Sequence, residues 1–550
     1  MSSLTPLTSV LGKTRAKHLL KRATYCVTKS RLEEFSAYTV DQAVAKLLEP
    51  NVKKLSQPIN YETGNPWIEN DPILGVVDPS FSAQKLIEGT YAWWLDEAKN
   101  DKSLRSRMTY FLFSFLSIDT VSLRGKRGFF YDYLRLLEMY TLGSFKDLMF
   151  QVSINNLMLS YLDNGFNTAV NPNENYAREV LELFTIGKGP STGVGDYTHY
   201  TEEDIVQAAR LLTGWRIGKD RVTNHGGDNG GIPTGYPLVN RHDFGEKVFS
   251  ERFGNRVISA YDSSNKTESQ KIERMKTELV EFFDMIFDQE ATAKYVCRRM
   301  YRYFVSANIT KEVENDIIAP LSDTFRINYS FEEIIIQLLK SEHFYDEDDH
   351  VRGDEIIGGM IKSPLELMLQ TLTITNYPVP DAIEESKNHY LFFYRREMVR
   401  DFLELSGQKP FDPPSVAGFP AIYEAPLYDK FWFNPATIIS RYNLGALLLN
   451  KNATKVDFKV TTFVEKNVSV PFSVDVLITE LIELFFSKPV SEERTMYFSN
   501  EILLDNGTLT PSMWTNEWSN YRSTGNNIGT EAALVPLFKA LIWSQEFQTN

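Results

Sequence analysis

The sequence predicts an all-α fold, a large multi-helical assembly with long loops. Apolar residues recur at helical spacing in residues 13–48, 83–98, 104–116 and 128–139. The chain has 550 residues, of which 43% are hydrophobic, so it can bury a large core. Only residues 454–472, TKVDFKVTTFVEKNVSVPF, alternate apolar and polar side chains, which predicts one small β-hairpin insertion.

Three helical units are predicted along the chain. Residues 1–150 form an N-terminal unit, and residues 151–350 form a central unit that carries the loops NENYARE and HDFGEK. Residues 351–550 form a C-terminal unit with the predicted hairpin and a proline-rich strap, PFDPPSVAGFP, at residues 410–420. The prolines of this strap favour an extended segment lying over the helical core.

Composition excludes several classes of function. The net charge of −14 argues against nucleic-acid binding, which needs a basic surface to displace counterions. No run approaches the length of a membrane-spanning helix, and the N-terminus lacks the apolar stretch of a signal peptide, which favours the cytoplasm. Cys26 and Cys297 do not form a disulfide framework, and the sequence leaves open whether they pair.

The most informative segment is residues 171–187, NPNENYAREVLELFTIG. Asn173 suits a helix cap, and Glu174 and Glu182 each lie four residues from Arg178, so the three can meet on one helix face. With Glu179 nearby and Trp215 as an apolar wall, these residues are candidates for binding a polar ligand. The alternative is an ion network between helices without any ligand.

A cation site overlaps this segment. Asp163 and Glu174 stand at the first and twelfth positions of a calcium-loop register, with Asn167 at the fifth. Gly165 and Thr168 break that register, so the segment is not an EF-hand. An oxygen-only site for a hard divalent cation at Asp163, Asn167 and Glu174 remains a hypothesis, and the alternative is that these groups cap helices and loops.

A second loop, HDFGEK, places His242 beside Asp243 and close to Lys247. An imidazole oriented by a carboxylate can act as a general base, so all three residues are candidate ligand-binding residues. The alternative interpretation is a turn held by local hydrogen bonds.

These blocks carry a family resemblance. In order, they are HLLKRATY at residues 18–25, NPNENYARE-VLELFTIG, YTEEDIVQAARLLTGWRI at 200–217, HDFGEK at 242–247, RRMYRYFVS at 298–306, KSPLEL at 362–367 and PFDPPSVAGFP. The chain thus resembles the bacterial domain-of-unknown-function family 1800. The resemblance implies a helical fold, no established activity and no assigned catalytic residues. It also implies frequent export, in contrast to the cytoplasmic location that the N-terminal sequence favours. A further implication is a partner from the sulfatase-like family, whose members are often encoded beside members of this family.

One departure from the family pattern bears on chemistry. The resemblance leads us to expect a Trp-His-Asn-His-Phe run after the first third of the chain. Residues 112–116 read Leu-Phe-Ser-Phe-Leu instead, so Phe113 and Phe115 occupy both histidine positions. Phenylalanine neither binds a metal nor moves a proton, so any such role of the family's histidines is lost in this chain.

These observations favour a non-catalytic binding or assembly component that grips a protein partner or polar ligand at the face between Asn171 and Arg178. One alternative is a metal-dependent, hydrolase-like enzyme that uses Asp163, Glu174, Arg178 and the His242 loop. Another is an architectural envelope protein. An enzyme would need the Arg178 face and the His242 loop in one concave pocket, whereas a binding protein would not.

Overall fold

Helices dominate the computed structural model, as the apolar periodicity predicts. The structure describes residues 3–49, 57–59, 83–119, 128–193, 196–218, 225–227, 229–348, 355–380 and 387–550. In the first part of the chain the helices are α1 (Gly12–Ala23), α2 (Lys29–Ser36), α3 (Val40–Leu48), α4 (Ala83–Asn100), α5 (Arg105–Phe115), α6 (Gly128–Met139), α7 (Phe145–Ser153) and α8 (Asn156–Tyr161). Their positions confirm the helices predicted within residues 13–48, 83–98, 104–116 and 128–139.

The central part joins helices to short strands. Its helices are α9 (Glu174–Glu179), α10 (Glu202–Leu211), α11 (Glu268–Phe287), α12 (Glu290–Phe304), α13 (Lys311–Val313), α14 (Ala319–Asn328) and α15 (Phe331–Lys340). Wider π-helical turns, Val180–Phe184 and Glu314–Ile318, continue α9 and join α13 to α14. Among the residues described between α9 and α11, three antiparallel pairs of strands are present: β1 (Ser191–Gly193) with β2 (Asp196–Tyr197), β3 (Trp215–Arg216) with β4 (Tyr236–Pro237), and β5 (Lys247–Val248) with β6 (Val257–Ile258).

The last part is helical to its end. It contains α16 (Pro364–Ile374), α17 (Lys387–Phe392), α18 (Pro420–Tyr423), α19 (Ile438–Leu449), α20 (Lys451–Thr454), α21 (Val460–Asn467), α22 (Val474–Phe485), α23 (Glu492–Met496), α24 (Pro511–Thr524), α25 (Ile528–Trp543) and α26 (Gln545–Gln548). The π-helical segments Phe393–Glu404 and Tyr497–Leu503 extend α17 and α23.

The β-hairpin predicted at residues 454–472 is wrong. This tract contains the end of α20 and all of α21. The buried side chains of α21 are Val460, Thr461, Phe463 and Val464, which recur at helical spacing and turn one face toward α25. The hydroxyls of Thr461 and Thr530 lie 2.9 Å apart across that contact. The β-branched residues of this tract favour a strand by intrinsic preference, but burial of one helical face outweighs that preference.

One cluster of buried apolar side chains extends from Leu7 to Phe547 and includes residues of all three predicted units. Aromatic rings form much of it. Phe411 illustrates this packing, with ring centroids 4.8 Å from those of both Trp94 and Phe113. The division into three units stays a prediction.

Two lysines of α1 close the C-terminal end of α22. Lys21 Nζ donates to Phe485 O at 2.9 Å, and Lys17 Nζ donates to Phe486 O at 2.6 Å. Carbonyls at a helix C-terminus lack partners within the helix and attract positive charge. Burial lowers the pKa of Lys17 to about 8.

Two further features follow from the described residues. Cys26 and Cys297 are both buried and unpaired. Within the described part of the chain, no helix is long and apolar enough to span a membrane. The Pro, Asn and Gly content of residues 55–82 predicts a long surface loop, and most of this range lies outside the described residues.

Candidate functional site

The loop of residues 163–173, which we call the presenting loop, is shaped by the buried amide of Asn167. Its Nδ2 donates to Asn164 Oδ1 at 3.0 Å and to Ala209 O at 2.9 Å. Its Oδ1 accepts the backbone N–H of Asn173 at 2.9 Å. A single side chain thus ties both ends of the loop to α10, and its polar atoms are used inside the protein.

Backbone contacts fix the rest of the presenting loop. Ala169 N donates to Arg241 O at 2.8 Å, and Gly214 N donates to Asn167 O at 3.1 Å. At Gly165 an added Cβ would lie 2.7 Å from the Ile217 side chain, so only glycine allows this close approach. The loop is therefore held in one conformation by its neighbours.

Arg178 is clamped between two carboxylates. Its guanidinium forms two hydrogen bonds with Glu202, at 2.9 and 2.8 Å, and a longer one with Glu174 at 3.2 Å. The hydrogen bond to Arg178 lowers the pKa of Glu202, and in return Glu202 raises the pKa of Arg178. The predicted contact with Glu174 is present, whereas Glu202 is a partner that spacing within the segment did not indicate. The three side chains remain partly exposed.

Glu179 lies on the same helix with little positive charge to stabilise it. Burial, together with the neighbouring charge of Glu182, raises the pKa of Glu179 to about 7. Glu182 has its own cation, Lys188, at 2.5 Å. The helix thus carries one carboxyl group that titrates near neutral pH.

His242 is enclosed and occupied on both sides of its ring. Nδ1 lies 2.8 Å from Thr213 O, and Nε2 lies 3.2 Å from Glu278 Oε2. The side chains of His242 and Glu278 are fully buried. Because each nitrogen already faces an oxygen acceptor, neither is free to take a proton from a substrate in this arrangement.

Glu278 also holds two cations. Its Oε2 lies 2.6 Å from Lys247 Nζ, and its Oε1 lies 3.0 Å from Arg274 Nε. Burial by itself would raise the pKa of Glu278, but the His242 hydrogen bond and the Lys247 charge hold it below the ordinary value. Burial lowers the pKa of Lys247 despite its partner. The result is an ion network inside the protein.

The carboxylate of Asp243 contacts α10, while its backbone carbonyl accepts from Lys247 Nζ. Its carboxylate accepts a 2.8 Å hydrogen bond from Arg210 Nε and another of the same length from the backbone N–H of Gly245. Burial opposes ionisation, but these contacts keep the pKa of Asp243 below its ordinary value. The turn therefore has the hydrogen-bonded character of the alternative interpretation.

The two predicted loops contact opposite ends of α10. Glu202 at the first helical position meets Arg178, and Arg210 near the last position meets Asp243. Eight residues of helix separate the two contacts by about 12 Å. Trp215, the predicted apolar wall, is 1% exposed and belongs to the core. None of these residues lines the cavities described below.

The predicted cation ligands are engaged with protein groups. Asn167 Oδ1 accepts from Asn173, and Glu174 Oε2 accepts from Arg178. Asp163 has a left-handed backbone with φ of 56°. Among the described residues, no group of three or more His, Cys, Asp or Glu side chains is arranged to hold a metal ion. The site of Asp163, Asn167 and Glu174 stays a prediction.

Sequence reasoning missed a buried polar cluster where three of the quoted blocks meet. Arg302 comes from RRMYRYFVS, Glu366 from KSPLEL, and Arg107 from α5, and all three line a cavity of about 40 Å³. Arg107 Nη2 lies 2.9 Å from Glu366 Oε1. Arg107 Nε donates to the backbone carbonyl of Arg22, which belongs to HLLKRATY, at 3.0 Å. A cavity of this size admits water but is far smaller than the pockets of organic ligands.

Phe113 and Phe115 lie close to this cluster on α5 and are core residues. Phe113 packs edge-on against Phe411 with ring centroids 4.8 Å apart. Phe115 packs against Phe145 at 5.1 Å, and the guanidinium of Arg299 lies 4.5 Å from its ring centroid. The two positions at which the family resemblance leads us to expect histidine are thus filled with ring-packing contacts.

Exposed apolar side chains on the presenting loop were also missed. Val170 is 89% exposed, the highest value for a large apolar side chain among the described residues, and Phe166 is 56% exposed. Both flank Asn167, the buried anchor of the loop. A lone Phe and Val within a polar stretch gave no periodic signal, so no sequence pattern singled them out.

The fold and these sites define a large, mostly helical protein with several buried or partly buried ion networks. The chain belongs to the family described as Protein of unknown function (DUF1800), whose model matches residues 18–549, nearly the whole chain. No curated protein and no solved structure matches the chain.

Proposed function

We propose that this protein is a non-catalytic binding or assembly component that grips a protein partner at the presenting loop and the adjoining face of residues 171–178. The observation that carries the proposal is the exposure of Phe166 and Val170 on a loop whose shape is fixed from inside by Asn167. A rigid loop loses little conformational entropy on binding, and exposed aromatic side chains are frequent anchors of protein interfaces.

Charge next to the loop indicates the chemistry of the partner. Glu174 and Glu202 share the single guanidinium of Arg178, which leaves one negative charge on a partly exposed surface. A partner that offers an apolar socket flanked by basic side chains complements this surface. A protein of the sulfatase-like family, which the family resemblance implies as a partner, is the first candidate to test.

The hydrolase-like alternative receives less support. It requires the Arg178 face and the His242 loop to share a pocket, and their contacts are about 12 Å apart along α10. It also requires a free base, and both ring nitrogens of His242 face acceptors. The architectural alternative has no particular contact in its favour.

The test uses the full chain carrying Phe166→Asp and Val170→Asp together. Affinity capture from the host should recover a partner with the wild type and lose it with the double variant. The same partner should then bind the purified wild type in a pairwise assay. Thermal unfolding verifies that the double variant is folded.

Ile327→Asp is the matched control, because Ile327 is 77% exposed and lies at the end of α14, away in sequence from the presenting loop. It should retain the partner. Equal recovery with the double variant, or no pairwise binding by the wild type, would contradict the proposal.

A further inference from the structure

The strongest feature outside the presenting loop is a pair of buried cations, Lys362 and Arg441, whose terminal nitrogens lack acceptors among the described residues. Lys362 and Arg441 are both 0% exposed. Lys362 Nζ and both Nη atoms of Arg441 have no hydrogen-bond partner among the described residues. A buried unpaired charge costs several kcal/mol, so a folded protein rarely leaves one without a counter-charge or a solvating group.

Both residues contact Gln548, near the end of the chain, Lys362 through its backbone and Arg441 through its side chain. Lys362 donates its backbone N–H to Gln548 O at 2.9 Å, and Arg441 Nε donates to Gln548 Oε1 at 3.0 Å. Lys362 Nζ lies 3.9 Å from the centroid of the Phe547 ring. The positive charge of Arg441 lowers the pKa of Lys362.

The nearest carboxylate is already used. Glu366 Oε1 accepts from Arg107 Nη2 and from Asn550 Nδ2, each at 2.9 Å, and Glu366 Oε2 accepts the backbone N–H of Ser363 at 2.8 Å. Its charge is shared among four buried cations, Arg22, Arg107, Lys362 and Arg441. Asp429 and Asp346 also act on Arg22, whereas Glu366 is the carboxylate that acts on the other three cations.

The neighbouring buried lysine, Lys21, has hydrogen-bond acceptors for its ammonium group, whereas Lys362 does not. Lys21 approaches Lys362, but its ammonium is satisfied by Phe485 O at 2.9 Å and Ser487 Oγ at 3.0 Å. Burial lowers the pKa of Lys362 to about 7 and that of Arg441 to about 10, although the charge of Glu366 opposes both shifts. Among the four cations around Glu366, the donors without a partner in the described residues are Lys362 Nζ, both Nη atoms of Arg441 and Arg22 Nε.

We propose that a small inorganic anion, a halide or an oxyanion, binds between the ammonium of Lys362 and the guanidinium of Arg441. The anion accepts the hydrogen bonds that the protein does not provide and neutralises part of the cationic cluster. A cleft of about 380 Å³ lies near this cluster, lined by Ser487, which contacts Lys21 Nζ, and by Thr549, which follows Gln548 in the chain.

The first test measures thermal unfolding of the full chain at constant ionic strength. Sodium gluconate is replaced stepwise by sodium chloride in one series and by sodium phosphate in another, which distinguishes a halide from an oxyanion. The unfolding temperature of the wild type should rise and saturate in at least one series, because an anion bound only to the folded state stabilises it. Lys362→Met should raise the apparent Kd about tenfold or more, equivalent to the loss of one charged contact.

Lys13→Met is the matched control, since the Lys13 side chain is 74% exposed on α1. It should keep the wild-type response. A response that is absent in the wild type, or unchanged in both Lys362→Met and Arg441→Met, would overturn the proposal.

A second measurement does not depend on variants that fold. Crystals of the wild type grown in bromide should show an anomalous peak within about 3.5 Å of Lys362 Nζ and of Arg441 Nη atoms. A second crystal is grown in phosphate. If the bromide crystal shows density without an anomalous peak, and the phosphate crystal shows no phosphate, water alone fills the site and the proposal is overturned.

Discussion

Lys247 Nζ lies 2.6 Å from Glu278 Oε2, and both side chains are fully enclosed. This contact joins the HDFGEK loop to the middle of α11. His242 and Arg274 complete the shell around the same carboxylate, at 3.2 and 3.0 Å. The HDFGEK loop is therefore held to α11 by buried ionic contacts, since the side chains of His242 and Lys247 bind Glu278 inside the protein.

Glu278→Gln should destabilise the protein by about 3–5 kcal/mol, because it leaves the buried charge of Lys247 without its counter-ion. Urea unfolding at pH 7 measures the change. Glu281→Gln is the control, since Glu281 is partly exposed and lies 3.4 Å from Arg274. It should change the free energy of unfolding by about 1 kcal/mol or less. Similar losses in the two variants would contradict the role of the enclosed network.

The ionisation of Glu278 should also make the free energy of unfolding depend on pH. The pKa of Glu278 is lowered in the folded state, so its contribution is present above the unfolded pKa and lost as pH falls through the folded pKa. Between pH 5 and pH 3 the wild type should therefore lose more stability than Glu278→Gln. Parallel pH profiles for the two proteins would exclude this linkage.

Glu179 should change the pH dependence of stability in the direction opposite to that of Glu278. Its pKa is raised to about 7 by burial and by Glu182, so the folded state loses stability as pH rises from about 4.5 to 7. Glu179→Gln should equal the wild type at pH 4 and exceed it by about 1 kcal/mol at pH 8, a figure reduced for partial solvent screening. Thermal unfolding at both pH values tests this, with the exposed Glu203→Gln as a control that should show no such pH dependence.

Asn167→Ala should loosen the presenting loop. It removes the acceptor of Asn173 N–H and the donor to Ala209 O, and unsatisfied buried groups cost about 1–3 kcal/mol each. Faster hydrogen exchange at the Asn173 amide and lower stability are the expected results. Asn171→Ala, at an exposed position of the same loop, should change stability by about 0.5 kcal/mol or less. An unchanged Asn173 amide would show that the loop is held in another way.

The cation hypothesis makes a separate prediction. If Asp163, Asn167 and Glu174 hold a hard divalent cation, elemental analysis of the purified protein should find one ion per chain. Asp163→Ala and Glu174→Ala should both lose it, because each removes a carboxylate ligand. A metal-free wild type would remove the hypothesis.

Helices were predictable because their signals are local. Thr201 and Asp204 form a reciprocal capping box at the start of α10, and Ser363 and Glu366 do so at the start of α16. The contact of Glu174 with Arg178 was likewise predictable from four-residue spacing. In α21, however, β-branched residues gave a strand-like alternation, and only packing against α25 shows which periodicity matters.

The sequence by itself determined the all-α class, the positions of most helices in the described regions and the polar residues that form the NENYARE and HDFGEK loops. The tertiary structure alone decided how those polar groups are used. Glu278 reaches His242 from 36 positions away, and Arg441 meets Lys362 from 79 positions away across Gln548. Helix formation depends on neighbours within a few residues, whereas the partner of a buried charge depends on which distant helices pack around it.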